Sequence, residues 1–377
     1  MDSKDSIKFK YYWFLLFLLI VSIFFYFYLQ QENSLFLKRD LSSGFSKPRL
    51  ITNTTQEKTS ETTIVLEPEV KTLDFLFFGD IMLDRNVGAK IAKDGLDPLL
   101  ANLAGENKSF FSGYDLVSAN LEGAVTTAGE HYAPVAGNDF AFSPEVVSAL
   151  QNYNFIFFNL ANNHLTDQGQ KGLQETKDNL TALGLNFSGC PDAQIGECSA
   201  KIVEIDNTKV AMLGFSMVYN PVDLKELKKI ISDFKEQADL VVVNVHWGVE
   251  YEHKYNTTQA QIAHDIIDSG ADLIIGHHPH VVQGLEIYNN KPIFYSLGNF
   301  IFDQYFSSAT QEGLALGFSI DPQTKKLAIN LFPLQAKNSQ VQLMPDEAKE
   351  KFLTDFISWS KLNPEQEQSI LKAKINL

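Results

Sequence analysis

Positive charge is scarce in this chain of 377 residues: 31 lysines and arginines stand against 46 aspartates and glutamates, for a net charge of −15. That balance argues against nucleic acid as a partner, because phosphate backbones are held by clustered lysine and arginine. A polyanionic substrate would need a cation to meet it. Cysteine is nearly absent, and the two residues present, Cys190 and Cys198, exclude a disulfide-built scaffold and a four-thiolate zinc site. Seven residues separate them, so they either close one small loop in an oxidising compartment or stay as free thiols. No G-x-S-x-G elbow is present, and no G-x-G-x-x-G or P-loop follows the first apolar strand, which removes serine-hydrolase and nucleotide-fold readings. Apolar residues are not lacking: at 45% of the chain they suffice for a sizeable core in one large domain or two small ones.

Long hydrophobic runs are also few. One, from Tyr11 to Leu29, carries no charge and has about the length of a helix that crosses a bilayer. Tyr11, Tyr12, Trp13, Tyr26 and Tyr28 near its ends fit interfacial aromatic belts, and Lys4, Lys8 and Lys10 precede it. No small-residue cleavage pattern follows. The expectation is an uncleaved signal anchor over residues 11–29, a cytoplasmic tail over 1–10 and an extracytoplasmic remainder, hence a single-pass cell-membrane protein. Residues 30–71, rich in Ser, Thr, Glu and Lys without a sustained period, read as a flexible linker. A folded domain is expected over 72–340, followed by a helical extension over 341–377.

Within that domain, six short apolar runs each end at residues able to bind a metal, an anion or a proton. Phe75 to Phe78 leads to Asp80, Leu116 to Ala119 leads to Glu122, and Phe155 to Leu160 leads to Asn163 and His164. Leu240 to Val245 ends at His246, Leu273 to Ile275 at Gly276-His277-His278-Pro279-His280, and Ile293 to Leu297 at Gly298-Asn299. Such runs suit parallel strands buried on both faces. Parallel strands align their carboxyl ends, so residues far apart in sequence converge in one crevice.

Helical patterns separate several of these runs. Ser143-Pro144 predicts a helix running to Tyr153, Gly184 ends one that starts near Gln168, and Gly270 ends one that starts near Thr258. Lys201 to Glu204, Val210 to Phe215, Leu314 to Ile320 and Leu327 to Leu331 read as strands without intervening helices. Two helices separated by Pro364 are expected at the carboxyl end.

The strongest chemical signal is His278-Pro279-His280, since imidazole ligates zinc, iron and manganese. With Asp80, Glu122, Asn163 and His246 it makes a mixed nitrogen and oxygen set, suited to manganese, iron or zinc, with one ion or two left open. His164 either reaches a substrate leaving group as a general acid or is merely hydrogen-bonded at a loop. Asp167, three residues on, either holds the His164 tautomer or caps the following helix. Arg85 either pairs with a substrate phosphate or carboxylate or makes an ordinary salt bridge.

Six motifs in order carry a resemblance: Gly79-Asp80-Ile81-Met82-Leu83-Asp84-Arg85, Asn120-Leu121-Glu122-Gly123, Asn162-Asn163-His164, His246-Trp247-Gly248, Gly276 to Gln283, and Ser296-Leu297-Gly298-Asn299-Phe300. From about Leu73 to Ile320 the chain resembles the CapA-type capsule (poly-γ-glutamate) synthesis proteins. The resemblance implies a bacterial, membrane-anchored, extracytoplasmic domain with a calcineurin-like metallophosphoesterase fold, an α/β four-layer αββα sandwich preceded here by one transmembrane helix. It implies metal-ligand positions at Asp80, Glu122, Asn163, His246, His278 and His280, and the acid position at His164. Met82 stands where that pattern has the histidine of an Asp-x-His pair, and Glu122 where it has aspartate. A thioether is a poor ligand for manganese or zinc, so Asp84 is a candidate replacement if its turn brings it inward. The expected function is a metal-dependent hydrolase or transferase acting on an envelope polymer, poly-γ-glutamate or a phosphodiester-linked glycan, with capsule synthase subunits as possible partners. Two alternatives stand beside it: a non-catalytic subunit of a capsule synthesis or export complex, and a phosphatase of small esters unrelated to capsule.

Overall fold

The computed structural model describes residues 72–132 and 137–377. Two sheets form its frame. The larger has the strand order Gln340–Leu343, Leu327–Lys337, Glu312–Ile320, Leu73–Ile81, Leu116–Leu121, Phe155–Asn159, Asn186–Ser188, with two short strands paired outside this path. The smaller runs Val282–Tyr288, Lys291–Leu297, Leu273–His277, Leu240–His246, Thr208–Ser216, Ala200–Ile205.

Side-chain parity stacks these sheets. Phe75 and Phe77 of the first strand join Val210, Met212, Leu240, Val242, Leu273 and Ile275 of the other sheet in one buried cluster. Leu76 and Phe78 face the opposite way, into a cluster with Leu99, Val147 and Leu180 from helices Asp97–Ala104, Pro144–Leu150 and Gly169–Ala182. On the far side, Ala211, Leu213, Val241, Val243 and Ile274 pack on Leu227, Ile231, Ala263 and Ile266 from helices Leu224–Lys235 and Thr257–Asp268. A strand alternates faces every residue, so a run apolar at every position has partners on both faces. Here that gives four layers, αββα, as expected.

Leu73–Ile81, Leu116–Leu121 and Phe155–Asn159 run parallel in the large sheet. Thr208–Ser216, Leu240–His246, Leu273–His277 and Lys291–Leu297 do so in the small one. Their carboxyl ends meet where the two sheets adjoin: His278 N donates to Asp80 Oδ2 at 3.3 Å. At Gly79 the contact is close enough that an added Cβ would lie 1.8 Å from the Gly298 carbonyl oxygen.

The membrane part of the expectation is corrected. The proposed span over residues 11–29 lies outside the described residues, as does the linker over 30–71. Among the described residues no helix is long and apolar enough to cross a membrane. The longest, Gly169–Ala182 and Asp346–Trp359, have 14 residues each, whereas a hydrocarbon core takes about 20. Among the described residues the fold is therefore the αββα sandwich, with no transmembrane helix. Signal anchor, single-pass cell-membrane localisation, extracytoplasmic placement and the membrane as a partner have no support among the described residues and are set aside.

Candidate metal centre

Asp80, Glu122 and His280 sit at the ends of strands from both sheets, and all three are buried. One potential ligand atom from each lies within 4.8 Å of the others. Two carboxylates and an imidazole enclosed this way have a strong need for a cation. Burial and the charges of Asp80, Asp167 and Glu250 push the Glu122 carboxyl well above its ordinary value, opposed by Arg85. Its Oε1 has no hydrogen-bond partner. Burial also acts to raise Asp80, but the neighbouring His277 and His280 and the Asn120 amide hold it below the usual carboxylate value. This donor set fits a divalent cation. The group supports metal-dependent hydrolase chemistry.

The His278 and His280 backbones are unusual, with φ of 96° and 57° on either side of Pro279. Left-handed backbone at non-glycine residues carries strain and concentrates at functional sites. The two imidazoles serve different neighbours. His280 Nδ1 faces Asn299 Oδ1 at 3.0 Å, which leaves its Nε2 directed to Glu122 Oε1 at 3.9 Å. His278 lies with its ring 4.9 Å from that of His246, and its Nδ1 has no partner. Burial lowers both to a pKa of about 4, so each is neutral near pH 7 and has a lone pair to offer.

His246 and Asn163 form a second set. His246 Nε2 donates to Asn163 Oδ1 at 2.8 Å, while its Nδ1 faces the Asn120 amide at 3.4 Å. Burial first, and then the neighbouring histidines, keep His246 well below its usual pKa.

His164 stacks on Phe140 with ring centroids 4.1 Å apart. Its Nδ1 donates to Asp167 Oδ2 at 2.8 Å, and its Nε2 lies 3.6 Å from Glu122 Oε1. Asp167 Oδ2 also accepts from Phe140 N at 2.7 Å. Gln168 stands at the N-cap of helix Gly169–Ala182, without a side-chain cap bond, so Asp167 is engaged with the imidazole rather than the helix. Arg85 takes the internal pairing: its guanidinium bonds Asp303 and the Gly137 carbonyl and lies over the Phe140 ring.

Asp84 does not replace the missing histidine. Its carboxylate accepts from Arg85 N at the start of helix Arg85–Asp94 and from Ala141 N. Met82 is wholly buried in the helix-side cluster, and its sulfur accepts from Asp84 N at 3.1 Å. The set around Asp80 is thus three side chains rather than four.

Sequence reasoning assigned no role to Asn120 and His277. Asn120 Nδ2 donates to Asp80 Oδ1 at 2.9 Å and comes within reach of Glu122 and His246. Its Oδ1 accepts from Asn159 and Asn162. His277 Nδ1 lies 3.2 Å from Asp80 Oδ1, off the line of a directed bond. The signal for both was a polar residue at the end of an apolar strand, buried there and costly without a polar partner. The two cysteines, for which loop and free thiols were both open, form a disulfide.

A family model described as bacterial capsule synthesis protein PGA_cap matches residues 74–304. The PGA biosynthesis protein CapA of Bacillus subtilis is 34% identical over 272 residues, covering 66% of this chain and 69% of that protein. The capsule biosynthesis protein CapA of Bacillus anthracis is 33% identical over 284 residues, covering 70% and 68%. Among solved structures, a phosphatase from Mycoplasma pneumoniae is similar with a TM-score of 0.45 and 16% identity, over 76% of this chain and 99% of that one. Likeness of that extent carries no argument about the chemistry here.

Proposed function

This chain belongs to the bacterial capsule synthesis protein family PGA_cap, and from that membership and the buried carboxylate–imidazole group we propose a metal-dependent hydrolase serving capsule biosynthesis. The observation that carries the reading is the enclosure of Asp80, Glu122 and His280 within 4.8 Å, with Glu122 Oε1 unpartnered. Asp80, Glu122 and His280 would hold one ion, and Asn163, His246 and His278 a second. Manganese, iron and zinc all suit these donors. A bound ion of this kind polarises a phosphoryl or carbonyl oxygen and lowers the pKa of bound water.

The chain's own groups do the rest. Asp167 accepts from His164 Nδ1 and thereby orients the ring, so that its Nε2 faces the carboxylate cluster, placed to pass a proton to the leaving group. Phe140 stacks on that ring and bonds Asp167 through its own backbone, which fixes the acid before substrate arrives. Arg85, paired with Asp303, adds positive potential near Glu122. Two family relatives act in capsule or PGA biosynthesis by name, and the substrate proposed here is correspondingly a capsule polymer or its precursor.

The test is hydrolysis of phosphodiester and poly-γ-glutamyl substrates by the full-length chain after chelation and readdition of Mn2+, Fe2+ or Zn2+. Turnover should vanish with chelation and return with one of the ions. His164→Ala should lower kcat by roughly 10²- to 10⁴-fold without weakening metal binding. Undiminished turnover in His164→Ala, or none with any ion, would count against the proposal.

A further inference from the structure

The loop closed by Cys190 and Cys198 carries the chain from Asn186–Ser188 in the large sheet to Ala200–Ile205 in the small one. Asp192 lies inside it. Its Oδ1 accepts from Ser216 Oγ at 2.6 Å and Val218 N at 2.8 Å, and its Oδ2 from Tyr219 N and Asn220 N, both at 3.2 Å. Ala193 N adds a bond to Ser216 O at 2.9 Å. One carboxylate therefore gathers four donors from the segment that presents Tyr219.

Tyr219 is 70% exposed, yet its hydroxyl lies 3.4 Å from Asn163 Nδ2. On the other side of that amide, Asn163 Oδ1 accepts from His246 Nε2. A carboxamide has a donor end and an acceptor end that exchange by a half-turn. A hydroxyl accepting at the nitrogen end keeps the oxygen end turned toward His246, the direction in which a cation would find it.

The same loop grips Asn163 from behind. Gly189 has φ of 129°, and a Cβ there would stand 2.1 Å from Ala161 N. Leu160 N donates to Ser188 O at 2.8 Å, and Gly189 N to Cys198 O at 2.6 Å. The base of the disulfide loop thus packs on the backbone two residues before Asn163, while Asp192 and Tyr219 fix its side chain. A disulfide that only stapled a surface turn would need neither connection.

We propose that Tyr219 is a positioning residue for Asn163, held there by Asp192 within the disulfide-closed loop 190–198, so that opening the disulfide loosens the Asn163–His246 side of the centre. The proposal rests on the metal reading above. Reduction takes two electrons and two protons from a dithiol such as dithiothreitol, which leaves as its cyclic disulfide while Cys190 and Cys198 become thiols.

The experiment is Mn2+ titration by calorimetry of the full-length chain, compared with Tyr219→Phe, Asp192→Asn and the double change Cys190→Ser and Cys198→Ser. Amide hydrogen exchange is followed over residues 160–164 in the ion-free state. Tyr219→Phe removes only a hydroxyl on an exposed ring, so the fold is not at stake. It should weaken one Mn2+ step roughly 10- to 100-fold and leave the other within about twofold. Asp192→Asn and the double serine variant should do the same and speed exchange over 160–164 by about tenfold or more. All steps unchanged in Tyr219→Phe would overturn the proposal. Were the parent to bind no Mn2+, the metal reading would fail on its own, and the exchange data would then decide: unaltered exchange over 160–164 in Asp192→Asn overturns the link, and faster exchange sustains it.

Discussion

Asn120 shows what a single carboxamide can carry. Its amide nitrogen serves Asp80 and approaches Glu122 and His246, and its oxygen accepts from Asn159 and Asn162. Asn120→Ala would leave several of these buried groups unpaired, at about 1–3 kcal/mol for each. A loss of at least about 2 kcal/mol in urea-derived stability is expected, together with weaker metal binding; a stability within error of the parent would mean that the network re-forms without it. The ligand candidates were legible because each ends an apolar run, where a charged or imidazole group is conspicuous. The roles of Asn120 and His277 were not, because an amide or imidazole at the same place carries no mark of which partner it will face. The fate of Asp84 was equally hidden: its partner Ala141 lies 57 residues away, a distance no local pattern spans.

Among the elements, helix Leu224–Lys235 is tied to the small sheet through Asp272. This buried carboxylate accepts from Lys235 Nζ at 2.8 Å, Lys291 Nζ at 2.7 Å and Val241 N at 2.9 Å. Burial acts to raise its pKa, but the bonds from Lys235, Lys291 and Val241 prevail and lower it. A carboxyl lowered in the folded state contributes stability above its unfolded value, about 3.9, and loses that contribution as pH falls through the folded value. Asp272→Asn should therefore cost about 1–3 kcal/mol near pH 7, with the gap to the parent narrowing below about pH 4. Denaturant midpoints across pH 3–7 check this, and a gap independent of pH would contradict the assignment to charge.

Element positions were readable where local chemistry marks them. Gly270 follows the end of Thr257–Asp268, and Ser143-Pro144 opens Pro144–Leu150. The apportioning of strands between two sheets was not readable, because runs buried on both faces look alike whichever sheet they join. The short closing strand Lys374–Asn376, which pairs with Leu327–Lys337, also escaped notice: three residues give no period.

Across the whole molecule the centre sits at a seam. Asp80 and Glu122 belong to the large-sheet side, His246, His278 and His280 to the small-sheet side, so a cation held by both would couple the sheets. Binding to the folded state alone stabilises by mass action, about 2.7 kcal/mol at a hundredfold excess over Kd. Thermal scans should accordingly show a Tm that rises with added Mn2+ and falls with chelator, and a Tm indifferent to both would speak against an ion at the seam. The most direct measurement is the metal content of the purified full-length chain beside the double change His278→Ala and His280→Ala, with folding verified by circular dichroism. The account predicts near-stoichiometric manganese, iron or zinc in the parent and little in a folded variant; equal, negligible metal in both would contradict it.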